Sequence, residues 1–289
     1  MYKIITLLIP LLIGSISYGQ NYIQYHNLFN EGCQLISDGL YADAKEKILD
    51  AIDLVDQPLS VDYFNLAKCY SQLHAPEITE YYLIASLKLS SRGTKKYIEH
   101  SLWFEPIFGK EKWEAILNAD YSKGEPTDLQ RLLLEKIDTL LKIKQQFMRL
   151  YYDSIEVYHP YDSLLLGAYQ DSITMNNEIV SLELEKIITE YGWPGYRLNG
   201  FTNMDYSFTD GRSAKWFYKM EAKLIEEIDK GNLNPWTFVD MADRAQGESK
   251  LPCKYNGLFC NLDITPEIRE NCKKIGAPLG QIKYIRRLN

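Results

Sequence analysis

After its first twenty residues, this 289-residue chain has no unbroken apolar run near the roughly eighteen residues a membrane-crossing helix needs, so no membrane span is expected. It also has no excess of positive charge. Its 32 lysines and arginines face 39 aspartates and glutamates, a balance that argues against a nucleic-acid partner. Histidine is scarce, four in all with none beyond His159, and no HExxH pair, phosphate-cradling glycine loop, Gly-x-Ser-x-Gly elbow or dense metal-ligand cluster is present. No metal or cofactor is therefore expected. Asp153 and Asp162 near His159 allow a carboxylate-oriented histidine, but no nucleophile accompanies it, and an exposed loop histidine is the better reading.

The one short apolar run present is N-terminal. Lys3 precedes Ile4 to Ile13, and Ser17 and Gly19 follow as a small-residue pair. This pattern reads as a secretory signal over residues 1–19, cleaved before Gln20, and places the mature chain in the periplasm or outside the cell. Removing it leaves 31 basic against 39 acidic side chains, a net charge of −8. The only local basic excess is C-terminal, at Lys273, Lys274, Lys283, Arg286 and Arg287, where cations also complement helix ends. Five cysteines, an odd count, leave at least one thiol unpaired within a chain in an oxidising compartment. Cys253 and Cys260 are near enough in a turn-rich stretch to form a disulfide, or are two buried small hydrophobes.

From Tyr22 to Ile116 the pattern repeats. Gly32, Leu35, Gly39, Tyr41, Ala44, Ile48 and Ala51 suit two antiparallel helices packed through small residues, with Gly39 breaking the chain between them. A second unit carries Leu66, Ala67, Tyr70, Leu73, Tyr82, Ala85 and Leu87, with His74, Ala75 and Pro76 in its turn. Gly32 and Ala67 lie 35 residues apart, so residues 20–118 resemble tetratricopeptide repeats, whose period is about 34. The family's closing proline is absent from its place, with Pro58 nearby. Two repeats alone bury too little surface. The aromatic stretch with Trp103, Phe104 and Trp113 is expected to cap them as core of a third helical unit, rather than to stack a ligand.

Residues 119–126, rich in turn formers, are the expected linker to a second region, 127–289. There a helical stripe runs from Leu129 through Leu133, Ile137 and Leu140. A second helix bears Val180, Leu184, Ile187 and Ile188 and stops at Gly192, and a third bears Phe217, Met220, Leu224 and Ile228 and stops at Gly231. Asn234 and Pro235 open a fourth, with Leu233 and Phe238 as a hydrophobic staple. Thr265 and Pro266 open the last, which buries Cys272 and ends at Gly276. The fold class is all-α, with room for a short hairpin only in 199–212 and 251–262.

Gly192-Trp193-Pro194-Gly195, the pair Asp243-Arg244, Lys254-Tyr255-Asn256-Gly257 and the ending Ile275-Gly276-Ala277-Pro278-Leu279 fall in this order. With these motifs, residues 127–289 resemble a bacterial family defined only as a domain of unknown function, number 6624. That family usually has a Gln-His pair between the Gly-Trp-Pro turn and the Asp-Arg pair, and a Thr-Gln after the Tyr-Gly turn. Here both are absent, and Leu258 and Phe259 follow Gly257. The resemblance implies a fold and no assigned activity.

Three functional readings follow. The first is a protein- or peptide-binding scaffold of the cell envelope, because helical repeats build surfaces for extended peptides or helices. The second is a hydrolase-like enzyme with Asp243 as acid or base, Arg244 as anion clamp and Tyr255 as donor, and with Trp193 beside them. Against it, Asp240 and Arg244 are spaced as an i,i+4 surface ion pair, worth about 0.3–0.5 kcal/mol, and Trp193-Pro194 as a rigid turn that plugs the core. The third uses 22 tyrosines and five tryptophans for glycan stacking.

Overall fold

The computed structural model describes residues 21–89, 96, 98–121, 125–150, 163–200, 212–248, 255 and 265–279, and the chain is all-α. Four helices form two antiparallel hairpins: α1 (Tyr22–Ser37) with α2 (Tyr41–Ile52), and α3 (Ser60–Gln72) with α4 (Pro76–Leu89). Both turns close alike. Gly39 N–H donates to Ile36 and Leu40 N–H to Leu35; 35 residues on, His74 N–H donates to Ser71 and Ala75 N–H to Tyr70. This Schellman closure needs a left-handed residue. Gly39 supplies it at φ +77°, while His74 adopts +55°. Gly32 packs on Ile48 and the Ala44 carbonyl, where a Cβ would lie 2.6 Å from Ile48, so the small residue sets the helix spacing. Ser60 and Ser86 latch the second hairpin by exchanging hydroxyl-to-carbonyl hydrogen bonds of 2.8 Å.

The expected third unit is two short helices, α5 (Glu105–Phe108) and α6 (Lys110–Asn118). Phe104 and Trp113 pack with Phe64, Leu83 and Leu87, as expected of core aromatics. Trp103 departs from that expectation: it is only partly buried, at the edge of this cluster.

The second region comprises α7 (Asp128–Leu150), α8 (Ser163–Tyr191), the single turn α9 (Tyr196–Asn199), α10 (Ala214–Asp229), α11 (Pro235–Glu248) and α12 (Pro266–Ile275). Leu133, Ile137 and Leu140 of α7 meet Val180, Leu184, Ile187 and Ile188 of α8, and that core continues through α10, α11 and α12. The expected caps are present. Trp236 N–H donates to Asn234 Oδ1 and Ile268 N–H to Thr265 Oγ1, Leu233 and Phe238 are fully buried, and Gly231 and Gly276 end α10 and α12 at positive φ.

Helix α1 belongs to both regions. One side packs on α2, and the other lies against α10 and α12. Asn27 and Asn30 donate to the carbonyls of Lys273 and Gly276 at 3.0 Å. Gly231 faces the Tyr22 ring, and Gly276 faces Ile23, so closely that a Cβ would come within 2.5 Å of the ring or 2.9 Å of the Ile23 carbonyl. Elsewhere in the interface the Tyr196 hydroxyl donates to the Leu89 carbonyl. The possible hairpin segments lie outside the described residues except at 199, 200, 212 and 255, and Cys253, Cys260 and His159 lie wholly outside them. Among the described residues, no helix is long and apolar enough to cross a membrane, and no group of three or more acidic, histidine or cysteine side chains is placed to hold a metal ion.

Candidate functional site

The turns of the helical hairpins share one edge of the molecule. Ser71, Gln72, His74 and Pro76 of the α3–α4 turn face Leu102, Trp103, Pro106 and Ile107 across a groove of about 620 Å³. Tyr41, at the first turn, meets the Trp103 ring edge-on at 6.3 Å, so all three units converge on this tryptophan. Beneath it, Lys68 is buried with its ammonium 4.6 Å from the Phe64 ring and 5.5 Å from the Trp103 ring. A cation fixed against the indole holds the ring in place. Leucines at each turn stand in solvent: Leu40 is 50%, Leu73 40% and Leu102 87% exposed. The described lining of the groove is thus mainly apolar, edged by the Gln72 amide and the His74 imidazole, while the buried Ser71 hydroxyl donates to the Lys68 carbonyl at 2.7 Å.

The second region places the four residues singled out from the sequence differently. Trp193 is fully buried, and its N–H donates to Glu227 Oε2 at 2.8 Å. Asp243 is also buried, close to the Cys272 thiol; burial, and after it this carboxylate, pushes that thiol up to about 11. Tyr255 is buried with its ring edge-on to Phe238, and its carbonyl accepts from Cys272 Sγ at 3.3 Å. Asp243 and Tyr255 therefore meet around Cys272. Arg244 turns to Asp240, Nε to Oδ2 at 3.2 Å, and because Asp240 is buried this pair is no ordinary surface bridge.

Two buried charge clusters were not singled out from the sequence. Glu227, with no exposed surface, accepts from Trp193 N–H, from Asn232 Nδ2 at 2.9 Å and from Lys230 Nζ at 3.1 Å. It thereby fixes the Gly-Trp-Pro turn to the end of α10. The signal was its place among Leu224 and Ile228 on the apolar stripe.

The other cluster joins the two regions. The Tyr25 hydroxyl lies 2.8 Å from both oxygens of Asp62, which also accepts from Leu59 N–H at 2.6 Å. From α9, the Arg197 guanidinium lies 4.6 Å from the Tyr22 ring centroid and 5.1 Å from that of Tyr25. Burial pushes Asp62 up to about 6, although the Arg197 charge and these hydrogen bonds pull against it. Burial, and then Arg197, pushes His26 down to about 3. These groups are enclosed by packing, so the cluster binds helix to helix rather than facing solvent.

Aromatic residues elsewhere stack mainly on one another. Tyr82 lies nearly parallel to Tyr63 at 6.1 Å and to Tyr70 at 5.4 Å, leaving Tyr81 as the exposed ring of that group. No family model, curated protein or solved structure matches the chain.

Proposed function

We propose that this chain is an exported binding or scaffolding protein of the cell envelope, and that it holds a segment of a protein partner in the groove at Trp103. One observation carries this reading: a preformed groove whose rim residue Leu102 is 87% exposed beside a tryptophan that a buried lysine holds in position. Large exposed apolar side chains around a concavity mark interaction sites, and aromatic anchors dominate the energetics of such interfaces. At the groove edge the exposed Gln72 amide and His74 imidazole are placed to hydrogen-bond a bound backbone. The hydrolase reading has no comparable support, since Arg244 turns to Asp240.

A random peptide library displayed on phage and selected against the full chain tests this. Selection should converge on peptides that bind wild type and lose at least tenfold in affinity on Leu102→Asp. Failure to enrich, or enriched peptides indifferent to Leu102→Asp, would sink the proposal.

A further inference from the structure

We infer that the segment held along this edge is basic: a stretch of partner chain in which lysines or arginines alternate with large apolar side chains. The inference rests on the binding reading above and specifies its partner. Acidity is concentrated where the groove is. Residues 21–121 carry fifteen aspartates and glutamates against nine lysines and arginines, whereas 122–289 carry 24 against 22. Five of the nine cations of the first region are also engaged within it. Lys45, Lys47, Lys110 and Lys112 pair with Glu46, Glu31, Glu114 and Glu80, and Lys68 is buried against its two rings.

Acid and leucine occur together at every turn of the edge. Leu40 lies between Asp38 and Asp43, Leu73 is followed by Glu77, and Leu102 by Glu105, and all seven of these side chains are exposed. A segment crossing the edge therefore meets an apolar contact and a carboxylate three times over. Such a surface repels an acidic chain and an anionic membrane, and attracts lysine or arginine. Each exposed ion pair adds at most about 1 kcal/mol, or about fivefold in affinity. Together they determine which partner is accepted, while the leucines and Trp103 supply the apolar contact.

The test uses the full chain and two fluorescent synthetic peptides that share the same leucines in a serine background. One carries lysines and the other carries glutamates at the same positions. The lysine peptide should bind at least tenfold more tightly, weaken several-fold as salt rises from physiological strength towards 1 M, where screening shortens to about 3 Å, and weaken again on the triple change Asp43→Asn, Glu77→Gln, Glu105→Gln. Circular dichroism of that triple variant confirms that it folds. Equal binding of both peptides, still lost with Leu102→Asp, would overturn the basic partner and leave the groove reading standing. Binding of neither peptide, or binding indifferent to Leu102→Asp, would overturn both.

Discussion

Asp62 and His26, both buried beside Arg197, should cancel one another's effect on stability over a defined pH window. The Asp62 carboxyl rises from 3.8 to about 6 on folding. An acid raised in this way contributes stability that is present below 3.8 and lost as pH rises through 6. The gap is worth about 3 kcal/mol at 1.36 kcal/mol per pH unit. His26 falls from 6.5 to about 3. As a base depressed by burial, it contributes stability that is present above 6.5 and lost as pH falls, also at about 1.36 kcal/mol per pH unit until pH approaches 3.

Between pH 4 and 6 the folded chain thus takes up the Asp62 proton while the unfolded chain takes up the His26 proton, and the two slopes offset. Asp62→Asn keeps an oxygen for Tyr25 and Leu59 but removes the titration. Relative to wild type, it should lose about 3 kcal/mol as pH falls from 6 to 4. His26→Gln should show the opposite relative slope. Urea unfolding at half-unit pH steps, with wild type and variants side by side, removes contributions the chains share. Parallel curves for wild type and Asp62→Asn across that window would refute the reasoning.

Glu227→Ala should cost about 3 kcal/mol or more, because it strips the buried Trp193 N–H of its acceptor and opens a cavity; the expected fall in melting temperature, at roughly 2–4 °C per kcal/mol, is checked by calorimetry. Gly39→Ala and Gly276→Ala both place a side chain at positive φ, but Gly39 faces open space and Gly276 faces the Ile23 backbone. The second should therefore cost at least about 1 kcal/mol more than the first by denaturant titration, beyond the shared left-handed penalty of about 1–2 kcal/mol. His74→Gly relieves that penalty at φ +55° and, after glycine's entropy cost of about 0.5–1 kcal/mol, should raise stability by up to about 1 kcal/mol, read as a higher urea midpoint.

The helices were legible where a local signal exists. Gly39, Gly231 and Gly276 end helices through the left-handed conformation their type permits, and Asn234 and Thr265 cap the helices they precede. The turn at His74 was placed by its neighbours Ala75 and Pro76, although histidine itself does not announce a positive φ. Contacts between distant segments were not legible. Asn27 and Asn30 read as polar surface of α1, and only the fold brings carbonyls 246 residues away to them. Arg197 and Asp62 likewise carry no pattern that would pair their elements. Trp103 was misplaced for a related reason: hydrophobicity alone does not tell a core ring from one that lines a groove between two turns. The residues chosen from short motifs, Trp193, Asp243 and Tyr255, are buried in the second core, with Arg244 held to Asp240 at its edge.

The central claim is that a partner segment lies on the turn edge at Leu102. Its most direct test places a photoreactive side chain at position 102 of the full chain, with a control at Met175, which is 58% exposed on α8, and irradiates each with a library-selected peptide. The expected result is a peptide adduct from position 102 and none from position 175. Adducts from 175 alone, or equally from both, would contradict it.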